Sequence, residues 1–235
     1  MSITENVKTV QSRVAAAARA AGRDPAEITL VAATKMNDAE KVREAIAAGI
    51  RVCGENRVQE LREKNEAGAY TGASLHFIGT LQKNKVKYLV GVCDLIESVS
   101  SVELLECISE RAQKRGLVQD VLLEINIAGE ASKSGLDPSL LPAVLEKAGA
   151  LSGIRVRGLM AIPPIAVEKG ENRAWFARMH QLFVDNSAKK YDNISMDFLS
   201  MGMSGDFEDA IAEGANIVRV GTAIFGARPY PPKEN

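Results

Sequence analysis

Eight short apolar runs recur along the chain, and stretches of helical period separate each from the next. The runs lie at residues 28–34, 51–54, 75–79, 94–99, 121–127, 156–162, 197–201 and 217–221. The amphipathic stretches between them lie at 38–48, 58–67, 83–90, 102–115, 138–150, 172–190 and 206–213, so every run but the last is followed by a helix. Alternation of this kind makes parallel strands joined by crossover helices, with a sheet covered on both faces. Eight such units in about 200 residues fit a closed TIM-type (β/α)8 barrel, and residues 1–235 are read as a single barrel domain. An open doubly wound sheet is the alternative. Periodicity does not separate the two, because both bury their strands on two sides.

A further helix stands in front, over residues 1–23. Ser2 and Glu5 have capping-box spacing, and Ile3, Val7, Val10, Val14 and Ala18 share one helical face, up to Gly22 before Asp24 and Pro25. Asn37 with Glu40, and Asn56 with Gln59, repeat the capping-box spacing. Asp137 before Pro138 reads as an N-cap with proline at the first helical position. Gly49, Gly68, Gly116 and Gly214 close helices. The proline-rich tail at 229–235 is expected to be loose.

Composition narrows the partners. With 29 basic and 30 acidic residues the formal net charge is −1, which gives no basic face for nucleic acid. Cys53, Cys93 and Cys107 are odd in number and form no Cys-x-x-Cys, which argues against disulfides and zinc and for a cytoplasmic protein with reduced thiols. His76 and His180, the two histidines, rule out a histidine-rich metal site. No stretch approaches the ~20 apolar residues of a membrane span, and the N-terminus lacks the apolar block of a secretory signal.

In a parallel barrel the C-terminal ends of the strands share the face that carries the site. Lys35 ends the first strand, Asn56 follows the second in Gly-Glu-Asn, and His76 lies in the third. Asn126 is near the end of the fifth and Met160 is in the sixth. The stretch SMGMSG, at 200–205, ends the seventh, and VRVGT, with Arg219, Gly221 and Thr222, forms the eighth. A free lysine has a pKa of ~10.4 and is a poor nucleophile at neutral pH. Desolvation at a barrel mouth lowers that value, and the neutral amine condenses with an aldehyde. The plainer alternative is a lysine reaching to solvent from a strand end. Ser204 and Gly205 before one helix, and Gly221 and Thr222 after the next strand, suit an anion on the loops that barrels use for phosphate. Each is equally an ordinary cap or turn. Arg219, between two valines, faces opposite to them and needs an acceptor. Either a carboxylate such as Glu124 or a ligand's ring nitrogen meets that need.

Four stretches carry a resemblance: HFIGTLQKNK at 76–85, GLMAIPP at 158–164, SMGMSGDFEDAI at 200–211 and VRVGTAIFGAR at 218–228, with GENRVQE at 54–60 in support. Together they make the chain similar, over nearly all of residues 1–230, to the pyridoxal-phosphate homeostasis proteins, which share their barrel with the N-terminal domain of alanine racemase. The resemblance implies that Lys35 forms the Schiff base with pyridoxal 5'-phosphate and that Arg219 faces the pyridine nitrogen. It implies that Ser204, Gly221 and Thr222 contact the phosphate and that Asn56 lies near the ring. Two features depart from the family. Leu75 replaces an aromatic before the histidine, and Met36, Asn37 and Asp38 follow Lys35 where many members carry a second lysine.

An arginine at the ring nitrogen disfavours a proton there, so the ring is a weaker electron sink than one paired with a carboxylate. Racemisation also needs two acid/base groups. The related racemases take the second from a tyrosine on a further C-terminal domain, whereas this chain stops at Asn235, soon after the eighth strand. The expectation is a monomeric holder of the cofactor that hands it to pyridoxal-phosphate-dependent apo-enzymes without efficient catalysis. A racemase using the same cofactor is the alternative, and a cofactor-free aldolase built on Lys35 a third reading.

Overall fold

The computed structural model describes residues 2–130, 133–166, 168, 170–187 and 191–226. The tail at 229–235, and the last two residues of the motif at 218–228, lie outside the described residues.

Eight parallel strands close on one another. They are β1 (Thr29–Ala33), β2 (Val52–Glu55), β3 (Ser74–Phe77), β4 (Leu95–Val99), β5 (Gln119–Ile125), β6 (Ile154–Ala161), β7 (Ile194–Ser200) and β8 (Ile217–Val220). Each pairs with the next in chain order, and β8 returns to β1 with Thr29 opposite Ile217 and Val31 opposite Arg219. That last pairing excludes the open sheet. The helices are α1 (Ile3–Ala20), α2 (Ala39–Ala47), α3 (Val58–Glu66), α4 (Val102–Gln113), α5 (Leu141–Gly149), α6 (Arg173–Ser187), α7 (Phe207–Ala212) and α8 (Thr222–Phe225).

Strand alternation sorts the side chains into two cores. Ala32, Cys53, Phe77, Ile96, Leu123, Leu159, Leu199 and Val218 point outward and pack in the large cluster shared with the helices. Val31, Leu95, Leu122, Met160 and Ile217 point inward and fill the barrel, with Val52, Ile162 and Phe198 against them. One glycine is required for the closure. Gly158 has φ +144, and a Cβ there would lie 1.9 Å from the carbonyl oxygen of Phe198, where the β6–β7 register shifts.

α1 starts with the expected capping box: Ser2 Oγ accepts from the Glu5 N–H at 3.2 Å, and Glu5 accepts from the Ser2 N–H at 2.8 Å. Its buried face is Val7, Val10, Val14 and Ala18, laid against α2, α7 and α8. Each buried valine contributes roughly 1.5–3 kcal/mol, so a charge at Val10 would detach the helix.

Local signals misled in four places. The cap of α2 is Asp38, whose carboxylate accepts from the Lys41 N–H at 2.8 Å, and not Asn37. A left-handed step at Met36 (φ 61) delays the helix by one residue. Asn56 does not cap α3, which starts after Arg57 without a side-chain cap. The Asn56 N–H instead donates to Glu55 at 2.7 Å. Residues 83–88 form a 3₁₀ turn of which only Val86 is buried, too little apolar surface to hold an α-helix. The eighth strand, expected to end the series, is followed by the short α8.

Candidate functional site

Above the apolar plug the inward rows turn polar. Four of these groups, His76 on β3, Glu97 on β4, Ser200 on β7 and Arg219 on β8, are joined in one network. His76 Nδ1 is 2.7 Å from Glu97 Oε1, and the Ser200 hydroxyl donates to Glu97 Oε2 at 2.6 Å. Arg219 donates to Ser200 Oγ, and at 2.9 Å to the carbonyl of Ala161, with its guanidinium 3.8 Å from Glu97. Burial alone would raise the Glu97 carboxyl. His76, Arg219 and Ser200 overcome it and hold the group below its usual value. Burial pulls the Arg219 guanidinium down, against the support of Glu97, Glu124 and Asp206. Arg219 is 4% exposed, so this pairing is what permits a cation inside the barrel.

Lys35 stands at the rim. It lies two residues beyond Ala33, in the row that begins Val31, Ala33, and is half-buried. Its flanks are clamped from behind the sheet. Lys64 of α3 reaches Glu55 at 2.6 Å, Glu60 at 3.2 Å and the Thr34 carbonyl at 2.8 Å. The Thr34 N–H donates to the Gly54 carbonyl at 2.8 Å, and its hydroxyl to Glu55 at 3.1 Å. The Met36 N–H donates to Glu60 at 2.7 Å. Burial opposes the Glu60 charge, but Met36, Lys64 and Arg57 bring its carboxyl below the usual range. Thus the residues on both sides of Lys35 are held by one buried ionic cluster, and the left-handed Met36 is part of it.

The two loops expected to meet an anion are joined. The Gly221 N–H donates to Ser204 Oγ at 3.2 Å, so Ser204 bridges the ends of β7 and β8. It does not cap α7, whose N-cap is Asp206. A Cβ on Gly221 would touch Ala33 at 3.4 Å, so β1 and β8 present only small side chains to each other just inside the rim. Thr222 opens α8 and is exposed. Asn56 follows β2, and its buried Oδ1 has no hydrogen-bond partner among the described residues. Its backbone is pressed against the segment that follows β3, because a Cβ on Gly79 would lie 2.0 Å from the Asn56 carbonyl oxygen. A cleft of about 450 Å³ beside this end is lined by Met203, Gly205, Asp206, Pro164 and Ile165. A more apolar groove of about 480 Å³, walled by Val14, Thr29 and Val52, lies where β1 and β2 begin, at the opposite end from the strand-end residues.

The structure therefore brings Lys35, Arg219, Ser204, Gly221 and Thr222 to β1, β7 and β8, neighbours in the barrel wall, with Asn56 on β2 next to them. Sequence reasoning missed Glu97, Ser200, Glu55 and Lys64. A glutamate inside the apolar run LIESV was the available signal for Glu97, and Glu55 similarly ends an apolar strand. Nothing in α3 marked Lys64 among its other charges. Tyr70, placed away from the strand ends, does reach Glu55 with its hydroxyl at 3.5 Å, from behind the sheet.

The family model for the alanine racemase N-terminal domain matches residues 2–229. A pyridoxal phosphate homeostasis protein of Pseudomonas aeruginosa is 44% identical over 228 residues, 97% of this chain and 96% of that one. One of Aquifex aeolicus is 43% identical over 230 residues, 98% of this chain and 100% of the other. The solved structure of PipY from Synechococcus elongatus with PLP bound has a TM-score of 0.83 at 34% identity, covering 95% of this chain and 100% of that one. Relatives this similar along their whole length, on the same closed barrel, mean that the chain belongs to the pyridoxal phosphate homeostasis proteins of the alanine racemase N-terminal domain family.

Proposed function

We propose that the chain binds pyridoxal 5'-phosphate with the Lys35 amine as its covalent anchor, and that it holds the cofactor for apo-enzymes in the cytoplasm, as a monomer, without efficient turnover. The observation that carries this reading is the placement of Lys35, buried Arg219 and the Ser204–Gly221 bridge at the same end of adjoining strands. PLP bound to PipY supports the choice of ligand. The residues fit the group. Asn56 Oδ1 is an orphaned buried acceptor that a ligand donor would satisfy, and Ala33 with Gly221 leaves the rim free of bulk. When bound, the cofactor supplies an aldehyde that joins a primary amine as a C=N bond with loss of water.

Around it each residue has a separate task. Lys35 offers the amine from a turn whose flanks, Thr34 and Met36, are tied by hydrogen bonds, which lowers the entropy lost on capture. Ser204, Gly221 and Thr222 offer hydroxyl and main-chain donors for the phosphate. Arg219 donates and cannot accept, so a ring nitrogen that meets it stays unprotonated and the ring withdraws electrons weakly. A second acid/base group is not supplied by the described tyrosines. Tyr70 is held behind β2, Tyr88 lies under Arg62 of α3, and Tyr191 precedes β7.

Incubation with pyridoxal phosphate, borohydride reduction and peptide mapping test the reading. The expected result is visible absorbance before reduction and one modified lysine, Lys35. A colourless protein, or a label that maps to another lysine in the wild type, refutes it.

A further inference from the structure

Two interior carboxyls flank Arg219, and they are satisfied very differently. Both oxygens of Glu97 accept a hydrogen bond, and its charge has Arg219 as partner. Glu124, on β5, is 5% exposed. Its Oε1 accepts from the Ser134 hydroxyl at 2.7 Å, while its buried Oε2 has no hydrogen-bond partner among the described residues. Leu122, Glu124 and Asn126 form the inward row of β5, so Glu124 stands one step above the apolar plug.

The groups around Glu124 decide its charge. From β8 it faces Arg219, from the segment before α5 Ser134, and from β6 the uncharged Met160, while Glu97 of β4 shares the same Arg219. The Arg219 charge is already matched by Glu97. A second anion on this wall would be buried, unbalanced and short of one hydrogen bond, which is strongly disfavoured. Burial accordingly pushes the Glu124 carboxyl up, with Ser134 and Arg219 resisting. A proton on Oε2 removes the surplus charge and turns an orphan acceptor into a donor with no partner among the described residues.

We propose that Glu124 is a further residue of the cofactor site, meeting the ring edge of bound pyridoxal phosphate as a neutral carboxylic acid that donates from Oε2 beside Arg219. This contact rests on the reading of the site given above and deepens it. Two donors and no carboxylate then face that edge. An ionised glutamate there would draw a proton onto the ring and strengthen it as an electron sink. A neutral one keeps the ring quiet, which suits a holder of the cofactor better than a catalyst.

The test has two parts. In the unloaded protein at neutral pH, infrared spectroscopy should show the carbonyl stretch of a protonated carboxylic acid that is missing from Glu124→Gln. In absorbance titrations with pyridoxal phosphate, rising pH should weaken the wild type relative to Glu124→Gln as it removes the Glu124 proton, because the non-ionising variant keeps only the pH dependence that amine condensation itself carries. Glu124→Ala, which lacks any donor, should bind roughly tenfold more weakly, the worth of one hydrogen bond. Identical pH profiles for wild type and Glu124→Gln, a Glu124→Ala that binds as tightly as wild type, or no carboxylic acid band overturns the proposal. A wild type that shows the band and binds no pyridoxal phosphate locates the failure in the reading of the site, and the contact falls with it.

Discussion

Lys64→Met tests whether the clamp behind β1 sets the position of Lys35. Glu55 is fully buried and Lys64 is 7% exposed, and their charges are 2.6 Å apart. Methionine keeps the stem and removes the ammonium. Glu55 then keeps its bonds from Asn56, Thr34 and Tyr70 but loses its cation, and the nearby Glu60 becomes a like charge. Breaking one side of a buried pair costs about 3–5 kcal/mol. For a chain of this size that is a fall in Tm of roughly 6–20 °C. The damage extends along the chain. Met36 sits in the left-handed region, at about 1–2 kcal/mol for a residue with a Cβ, and its N–H is tied to Glu60. Once Glu60 is repelled, that strain opens the turn that carries Lys35.

Urea unfolding followed by the fluorescence of Trp175, the single tryptophan, gives the stability. The double variant Lys64→Met/Glu55→Gln separates charge from packing. It removes the stranded anion, so it should be more stable than the two single losses added together, with a coupling of about 1–3 kcal/mol. Pyridoxal phosphate affinity should fall in the single variant and recover in part in the double. A loss below about 1 kcal/mol in Lys64→Met, the scale of an exposed ion pair, or additive behaviour in the double variant, refutes the clamp.

Gly79→Ala should destabilise by roughly 1–3 kcal/mol, the usual scale for overpacking, because its Cβ would strike the Asn56 carbonyl at 2.0 Å. Wild-type affinity for pyridoxal phosphate in that variant would remove Asn56 from the site. The two interior carboxyls should give opposite pH dependences of stability. Glu97 is held below the ordinary carboxyl value of 4.5, so the stability it contributes is present above 4.5 and lost as pH falls through its lower folded value. Glu124 is held above 4.5, so its contribution is full below that value and is lost as pH rises through its higher folded value. Urea midpoints measured against pH should therefore show a decline above pH 4.5 in wild type that is absent from Glu124→Gln. Loaded protein in deuterated water should exchange the α-hydrogen of alanine no faster than free pyridoxal phosphate does. Rapid exchange with inversion would make the chain a racemase.

What was legible in the sequence is what strand alternation and strand ends report. The barrel followed from eight apolar runs separated by helical stretches, and only the β8–β1 pairing, a contact between residues near 30 and near 218, lay beyond local pattern. Lys35, Arg219, Ser204 and Gly221 were recognisable because a cation or a glycine stands out against a buried strand end. The residues that hold them were not. Asn37 and Asp38 are both good caps by composition, and the choice between them was made by the backbone turn at Met36, which depends on Glu60 twenty-four residues away. Lys64 looked like one more charge on a solvated helix face, yet it turns inward because Glu55 and the Thr34 carbonyl are waiting across the sheet. Arg219 was matched in advance to Glu124, and the tighter partners are Glu97 and Ser200. All three cases have one physical origin. A buried charge is decided by which oppositely charged or hydrogen-bonding group lies within about 4 Å, and in a barrel that group comes from another strand or from a helix on the outside. Inward and outward parity can be read from two neighbours in the chain, but pairing across the wall cannot, so the candidate site residues were visible before the framework that positions them.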